Sequence, residues 1–388
     1  MADGSAHKMY SVEETVYGTT PTNPALDQVR LTGTTLALAR DSLQSEEIRD
    51  DRQITDFRLG ANRVAGDINF EMSYSSFDQF LEAVLCSADW ASPATTGTTT
   101  LDATGTGFSR ASGSFVTDGF EVGQMVVSSG FAASGFNGFS VITAVDALTM
   151  TTTPVSGSHG VEAGDGDELV LAAEVITGGT TRRSFSFIRD FTDIQSADYP
   201  FYIYDGCELT AMSLRLAANA MITGTFSVVG QSLALAQDLT GLGTPTYNAV
   251  STTEPMDSFT GTIDEGGTTI AVVTELTLNL ANTIEPRYVV GSRDGIYPSI
   301  GRSNLPGQVT AYFDNSTLMQ KFINETESSI SFFLPDAAGN YQRYRIPRIK
   351  YTGAAVDVTG EGPITIPLPF QAVKDNTLGT NLLIERLT

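Results

Sequence analysis

Residues 64–85, VAGDINFEMSYSSFDQFLEAVL, recur in outline at residues 305–326, LPGQVTAYFDNSTLMQKFINET. A fixed step of 241 residues carries Gly66 onto Gly307, Phe70 onto Ala311, Phe77 onto Leu318, Gln79 onto Gln320 and Leu81 onto Phe322. Few residues are identical, but the apolar period changes from 2 to 3.6 at the same place in both. In the first segment Ile68, Phe70 and Met72 alternate with Asp67, Asn69 and Glu71, the pattern of a half-buried strand. A polar cluster follows at 73–76, and at 314–316 in the second segment. Phe77, Phe80, Leu81, Val84 and Leu85 then share one helical face, which leaves Asp78, Gln79 and Glu82 to water. Ser75 or Ser76 can cap this helix. It is too short to stand alone and must cover a sheet.

The flanks extend the repeat. A strand (30–40; 274–281) precedes each segment, followed by a polar arm of 22 residues, 41–62 in the first and 283–304 in the second. Loops of that length usually carry a function. The strands SFSFIRDF, CELTAMSLRLA and MITGTFSVVG follow the first copy; SISFFLPD, RIPRIKYTGAAV and GPITIPLPFQAV follow the second. The chain therefore reads as a mainly β tandem duplication, each unit a sheet with one flanking helix.

Residues 88–175 interrupt the first copy. Runs such as MVVSSG and GFSVITAV, separated by glycine turns, predict a small inserted β-barrel or sandwich that decorates an outer surface. The expected organisation is an N-terminal arm at 1–28, a first unit of 29–87 plus 176–230 and the insert at 88–175. A Pro- and Gly-containing linker at 231–263 then leads to a second unit at 264–388. The arm is expected either to lie along a neighbouring subunit or to move freely. YQRYRIPRIK, at 341–350, is the one basic stretch of the second copy. It reads as a charged strand face protecting an edge, or as arginines waiting for acids of another subunit.

Composition excludes several classes. The 45 acidic residues outnumber 22 Lys plus Arg, a formal net charge of −23, whereas a protein that grips phosphates should be basic. Cys86 and Cys207 sit in apolar contexts and predict buried thiols rather than a disulfide framework. There is no apolar leader and no run of 18 apolar residues, so neither a signal peptide nor a membrane span is expected. His7 and His159 have no nucleophile or carboxylate at a suggestive spacing. The acidic run GVEAGDGDE lacks the order of a calcium loop. No catalytic, cofactor-binding or metal-binding residue is assigned, and no cofactor is expected.

Taken in order, three features resemble the major tail tube protein of long-tailed (siphovirus-type) bacteriophages. They are the arm YSVEETVYGTTPTNP, the pair TGTTLALARDSLQSEEIRDDR and VAGDINFEMSYSSFDQFLEAVL, and the second copy. The likeness is to the branch with two tube folds per chain and an inserted β-domain. It implies a structural virion protein, made in the host cytoplasm and located in the tail. Three chains would form a pseudo-hexameric ring, and stacked rings a hollow conduit for the genome during ejection. The arms would bridge rings or subunits, and Phe77, Leu81, Leu318 and Phe322 would seat the helices. Implied partners are further copies, a tape measure protein inside the tube, terminator and distal tail proteins at its ends, and double-stranded DNA in transit without specific binding. An acidic lumen would let phosphates pass. The alternatives are a tail-completion or baseplate ring of the same fold, a carbohydrate-binding surface adhesin, and a hydrolase built on scattered acids.

Overall fold

The computed structural model describes the chain apart from residues 1–2, 49, 92–93, 97–99, 156, 259–260, 271, 357, 359 and 388. Arg49 of the first arm and the chain ends thus lie outside the described residues. From the N-terminus come β1 (His7–Glu13), β2 (Ala25–Gln28), β3 (Gly33–Thr34), β4 (Ala37–Gln44), β5 (Phe57–Glu71) and α1 (Asp78–Leu85). The interruption holds β6 (Leu101–Thr104), β7 (Gly107–Arg110), β8 (Met125–Ser129), β9 (Gly138–Val145), β10 (Thr149–Pro154) and β11 (Leu169–Ala172). The chain returns through β12 (Glu174–Thr177), β13 (Phe185–Phe191), β14 (Phe201–Ala217), β15 (Thr223–Gly230) and β16 (Ser232–Ala236). After β17 (Thr246–Tyr247), β18 (Thr262–Glu265) and β19 (Thr268–Thr269) come β20 (Val273–Arg287), β21 (Ile296–Asn304), β22 (Pro306–Tyr312) and α2 (Thr317–Ile323). β23 (Ser328–Pro335), β24 (Tyr341–Tyr351), β25 (Thr365–Ala372) and β26 (Leu383–Leu387) close the chain, which is mainly β.

The antiparallel neighbours run β4–β5–β15–β14 and then β20–β22–β25–β24. β13 pairs with the first half of β14, and β23 with β24. Strand order is therefore the same in both halves. They join where the second half of β14 takes β20 on its free edge, from Ala211 opposite Ala281 to Ala217 opposite Glu275.

One packing device also recurs. Phe70 of β5 lies opposite Gly224 of β15, and Phe370 of β25 lies opposite Gly307 of β22. A β-carbon on either glycine would come within 2.4 Å of the facing ring. The large and small partners have changed strands, so the pair keeps its volume.

α1 forms where the apolar face predicts it. Phe80, Leu81, Val84 and Leu85 are buried with Phe77, and Phe80 packs edge-on against Phe185, Phe187 and Phe226. The helix stops at Cys86, whose φ of 50° is left-handed and whose N–H bonds back to Ala83. Three local expectations differ. Neither Ser75 nor Ser76 caps the helix: Phe77 stands at the N-cap, Ser76 is engaged with the guanidinium of Arg30, and Ser75 has a left-handed φ of 52°. Asp78 and Glu82 are not left to water: Arg386 holds the first and Arg183 the second. On α2, Leu318, Met319 and Phe322 pack on the core only in part, and no residue of that helix is buried. Lys321 fastens it instead, 2.6 Å from the Glu265 carboxylate.

β6–β11 form a separate six-stranded antiparallel sheet with its own core, including Leu101, Phe108, Phe115, Phe120, Ile142 and Val170. It docks on the second half of the chain through Met125 and Ala173 against Phe333 and Leu387, and Phe139 against Tyr341. The basic stretch faces this contact. Tyr344 and Ile346 point into the core, while the buried Arg343 lies 3.1 Å from Glu385 and, with Arg345, donates to the Gly123 carbonyl. Arg343 and Arg345 find their partners within the chain, while Arg348 pairs with Glu327 at 2.6 Å on an exposed face.

The N-terminal arm likewise packs on its own chain. β1 pairs with β13, since Met9 and Tyr10 supply apolar cover and β13 has an unpaired edge. The Glu14 carboxylate fixes the end of this strand. It accepts hydrogen bonds from the Gly18 and Gly206 N–H groups and from the Ser184 and Ser186 hydroxyls, all between 2.7 and 2.8 Å. The stretch read as a linker is also strapped down, with β16 on β14 and β17 on β2.

Candidate functional site: the polar sheet face, its open edge and two hairpins

Strand alternation divides the sheet into two faces. Ile68, Phe226, Met212 and Leu280 form a row on the core face. The neighbouring row on the other face reads Asn69, Thr225, Ser213 and Asn279. The next reads Glu71, Thr223, Arg215, Thr277, Gln308 and Pro369. Thr225 donates to Asn69 and Ser227 to Asp67, so the side chains are held in rows.

This face is built of hydroxyls and amides, with Asp67, Glu71 and Glu275 set against Arg63, Arg215 and Lys350. The charge of −23 therefore sits elsewhere. Net charge records the whole surface, while each row is fixed by the strand period.

The row of strands traced above ends at β4 on one side and at β24 on the other. β4 pairs with β5 alone. At the far end β23 covers β24 as far as Ile349; beyond it Lys350, Tyr351 and Thr352 stay paired with β25, and among the described residues their opposite edge carries no strand. The corresponding edge of β14 is where β20 binds.

Both polar arms, expected as surface loops, are β-hairpins. The first is the outer part of β4 and β5, closed by a bond from the Ser45 N–H to the Asp56 carbonyl. It exposes Leu43, Ile48, Ile54, Phe57 and Leu59, with Ile48 99% accessible. The second, β20–β21, is tied back onto the first half. Asn62 donates to the Arg293 carbonyl, Arg182 stacks 4.1 Å over the Tyr297 ring, and Tyr17 meets Tyr297 edge-on at 4.9 Å. One arm is fastened and the other projects.

Carboxylates are buried around this seam and under α1. Burial pushes up the carboxyls of Asp205, Glu208 and Asp190, and also those of Asp78 and Glu82 despite their arginines. A carboxyl whose folded pKa is raised opposes folding while ionised, and that penalty disappears as pH falls through the folded value. Glu168 shifts the other way: burial is outweighed by backbone N–H donors of Asp165 and Gly166. Its contribution is lost only below the ordinary carboxylate range. The melting temperature should therefore rise as pH is lowered from 7 toward about 5 and fall again below about 4. A melting temperature that drops steadily across that interval would refute this balance.

Among the described residues no group of three or more His, Cys, Asp or Glu is placed to hold a metal ion. His7 packs on Phe191 and His159 bonds the Thr152 hydroxyl, so the two histidines serve different sheets. Both cysteines are buried. No helix is long and apolar enough to cross a membrane.

The site is thus a β-sheet surface with strand edges and a hairpin left free, features through which β-sheet proteins take up further strands. The phage tail tube protein family model matches residues 4–372, and the chain belongs to that family. It is a structural protein of the virion tail. No curated protein sequence matches the chain.

Proposed function

We propose that three copies of this chain close into a pseudo-hexameric ring, and that rings stack into the tail tube of a siphovirus-type phage. The observation that carries this reading is the β14–β20 junction. In it the edge beyond β14 of one half receives the first long strand of the other. The same edge beyond β24 and the open edge of β3–β4 are the matching halves of a second junction, between chains. Each chain then supplies two sheet units, residues 29–87 with 176–230 and residues 264–388, as a tandem duplication. The inserted sheet interrupts the first of them in sequence.

In this arrangement the polar face lines the conduit and the helices lie outside. The genome slides during ejection past rows of Thr, Ser, Asn and Gln that neither hold nor strongly repel phosphate. No cofactor and no catalysis are involved. The fastened hairpin sets the spacing of units within a ring, and the free hairpin reaches the next ring. Tape measure protein occupies the lumen during assembly, and terminator and distal tail proteins cap the ends.

Negative-stain microscopy of the purified protein over a concentration series tests this. Hollow tubes whose rings average to three-fold symmetry with six lobes are expected. Closed rings that never stack would assign the fold to a completion or baseplate ring. Compact monomers at every concentration would end the proposal.

A further inference from the structure

Arg343 and Arg345 border a cleft of ≈470 Å³ between the inserted sheet and the second half of the chain. The insert contributes Thr143 and Thr153 to its lining; β18 and β23 contribute Thr262, Asp264, Ser329 and Ser331. Arg343 is 5% exposed and stacks 4.9 Å over the Phe333 ring. Its Nη1 donates to the Gly123 carbonyl and to Glu385, but its buried Nε has no hydrogen-bond partner. Arg345 donates to the same Gly123 carbonyl at 3.0 Å and has no carboxylate within 4.0 Å among the described residues.

Gly123 makes this possible. Its φ is 89°, and a β-carbon there would stand 2.3 Å from an Arg345 guanidinium nitrogen. The two like charges share one neutral acceptor, and only Arg343 has a close counter-ion, Glu385. Burial, then the charge of Arg343, draws Arg345 below its ordinary range, and the more distant Glu385, Asp375 and Glu121 only partly offset this. A planar guanidinium with spare donors is matched by a carboxylate or phosphate. The remaining polar lining is hydroxyl-rich, and the Asp264 carboxylate already accepts one hydroxyl, that of Thr269 at 2.7 Å. Such groups suit a ligand that carries several hydroxyls of its own.

We propose that the cleft between the inserted sheet and β23–β24 binds a small oxyanion, carboxylate or phosphate, carried on a hydroxylated, sugar-sized body. The Arg345 guanidinium takes the acid group, while Asp264 and the threonine and serine hydroxyls take the body. The docked insert thereby forms one wall of a receptor site that neither sheet has by itself.

Saturation-transfer NMR and calorimetry on the full chain, with glucuronate, glucose 6-phosphate, glucose and inorganic phosphate as probes, test this. Glucuronate or glucose 6-phosphate should bind at least about tenfold more tightly than glucose and inorganic phosphate. Whichever of the two binds identifies the acid group as carboxylate or phosphate. Arg345→Gln should abolish that preference, and Thr143→Val should weaken binding several-fold without altering the melting curve. Inorganic phosphate binding as tightly as the sugar acids would mean an adventitious ion only and would overturn the proposal. So would absence of saturable binding in the millimolar range, or binding untouched by Arg345→Gln. Should Arg345→Gln undock the insert, Thr143→Val decides, and unchanged affinity in that variant refutes the assignment.

Discussion

Leu81→Ala should lower the free energy of unfolding by about 2–4 kcal/mol, measured by urea denaturation below the assembly concentration. Leu81 is 1% exposed and sits among Phe77, Phe80 and the aromatic rows of β5 and β15. These rings are already fixed: Phe70 stacks on Phe226 at 4.5 Å, and Phe80 meets three rings edge-on. They cannot collapse into the space a truncated leucine leaves, so the cavity persists and its cost adds to the lost burial. The matching change on α2, Phe322→Ala, should cost only about 1 kcal/mol, because a half-buried ring forfeits less area and leaves no closed void. The contrast is the test. Equal losses in the two variants would mean that α2 covers its sheet as fully as α1 does.

Deleting residues 46–55 should leave rings and remove tubes. The bond between Ser45 and Asp56 closes the hairpin just outside the deletion, so a short turn can replace the tip without disturbing the register of β4 on β5. What is lost is exposed apolar surface, chiefly Ile48 and Ile54. Each such side chain is worth about 1.5–3 kcal/mol if a neighbouring ring buries it. With three copies acting together the combined loss should suppress stacking altogether. Sedimentation velocity with electron microscopy distinguishes the outcomes. Tubes of ordinary length from the deleted protein would remove the free hairpin from the stacking contact.

Much of the architecture was legible because the core writes itself into the period. The change of period at 64–85 and at 305–326 located both strand–helix pairs, and glycine turns located the inserted sheet. Neither arm announces its hairpin, because strands with both faces in water carry no apolar alternation. Asp78 and Glu82 were assigned to solvent by helical geometry, which records the helix face and not the arginines brought to it from residues 386 and 183. α2 repeats the pattern of α1, yet depth of burial depends on neighbours, and those differ between the halves. The N-terminal arm was left to a neighbour or to solvent because nothing in residues 1–28 announces that the edge of β13 is unoccupied. The arginines of β24 pointed to a partner, and that partner proved to be a turn more than 200 residues earlier in the same chain.

The place of the inserted sheet also sets a timetable. β5 ends at Glu71, but its partner β15 begins at Thr223. At a synthesis rate of about 5–20 residues per second, β5 waits on the order of 10 s for that partner to emerge. Meanwhile β6–β11, whose pairings are mostly close in sequence, can fold within the gap. A nascent chain at that stage presents a finished small sheet beside a helix with no floor and a strand edge of fifteen residues. Neighbouring ribosomes on one message hold identical copies in the same state. Slower translation lengthens this window of vulnerability, so the yield of soluble protein should depend on codon speed between residues 72 and 223.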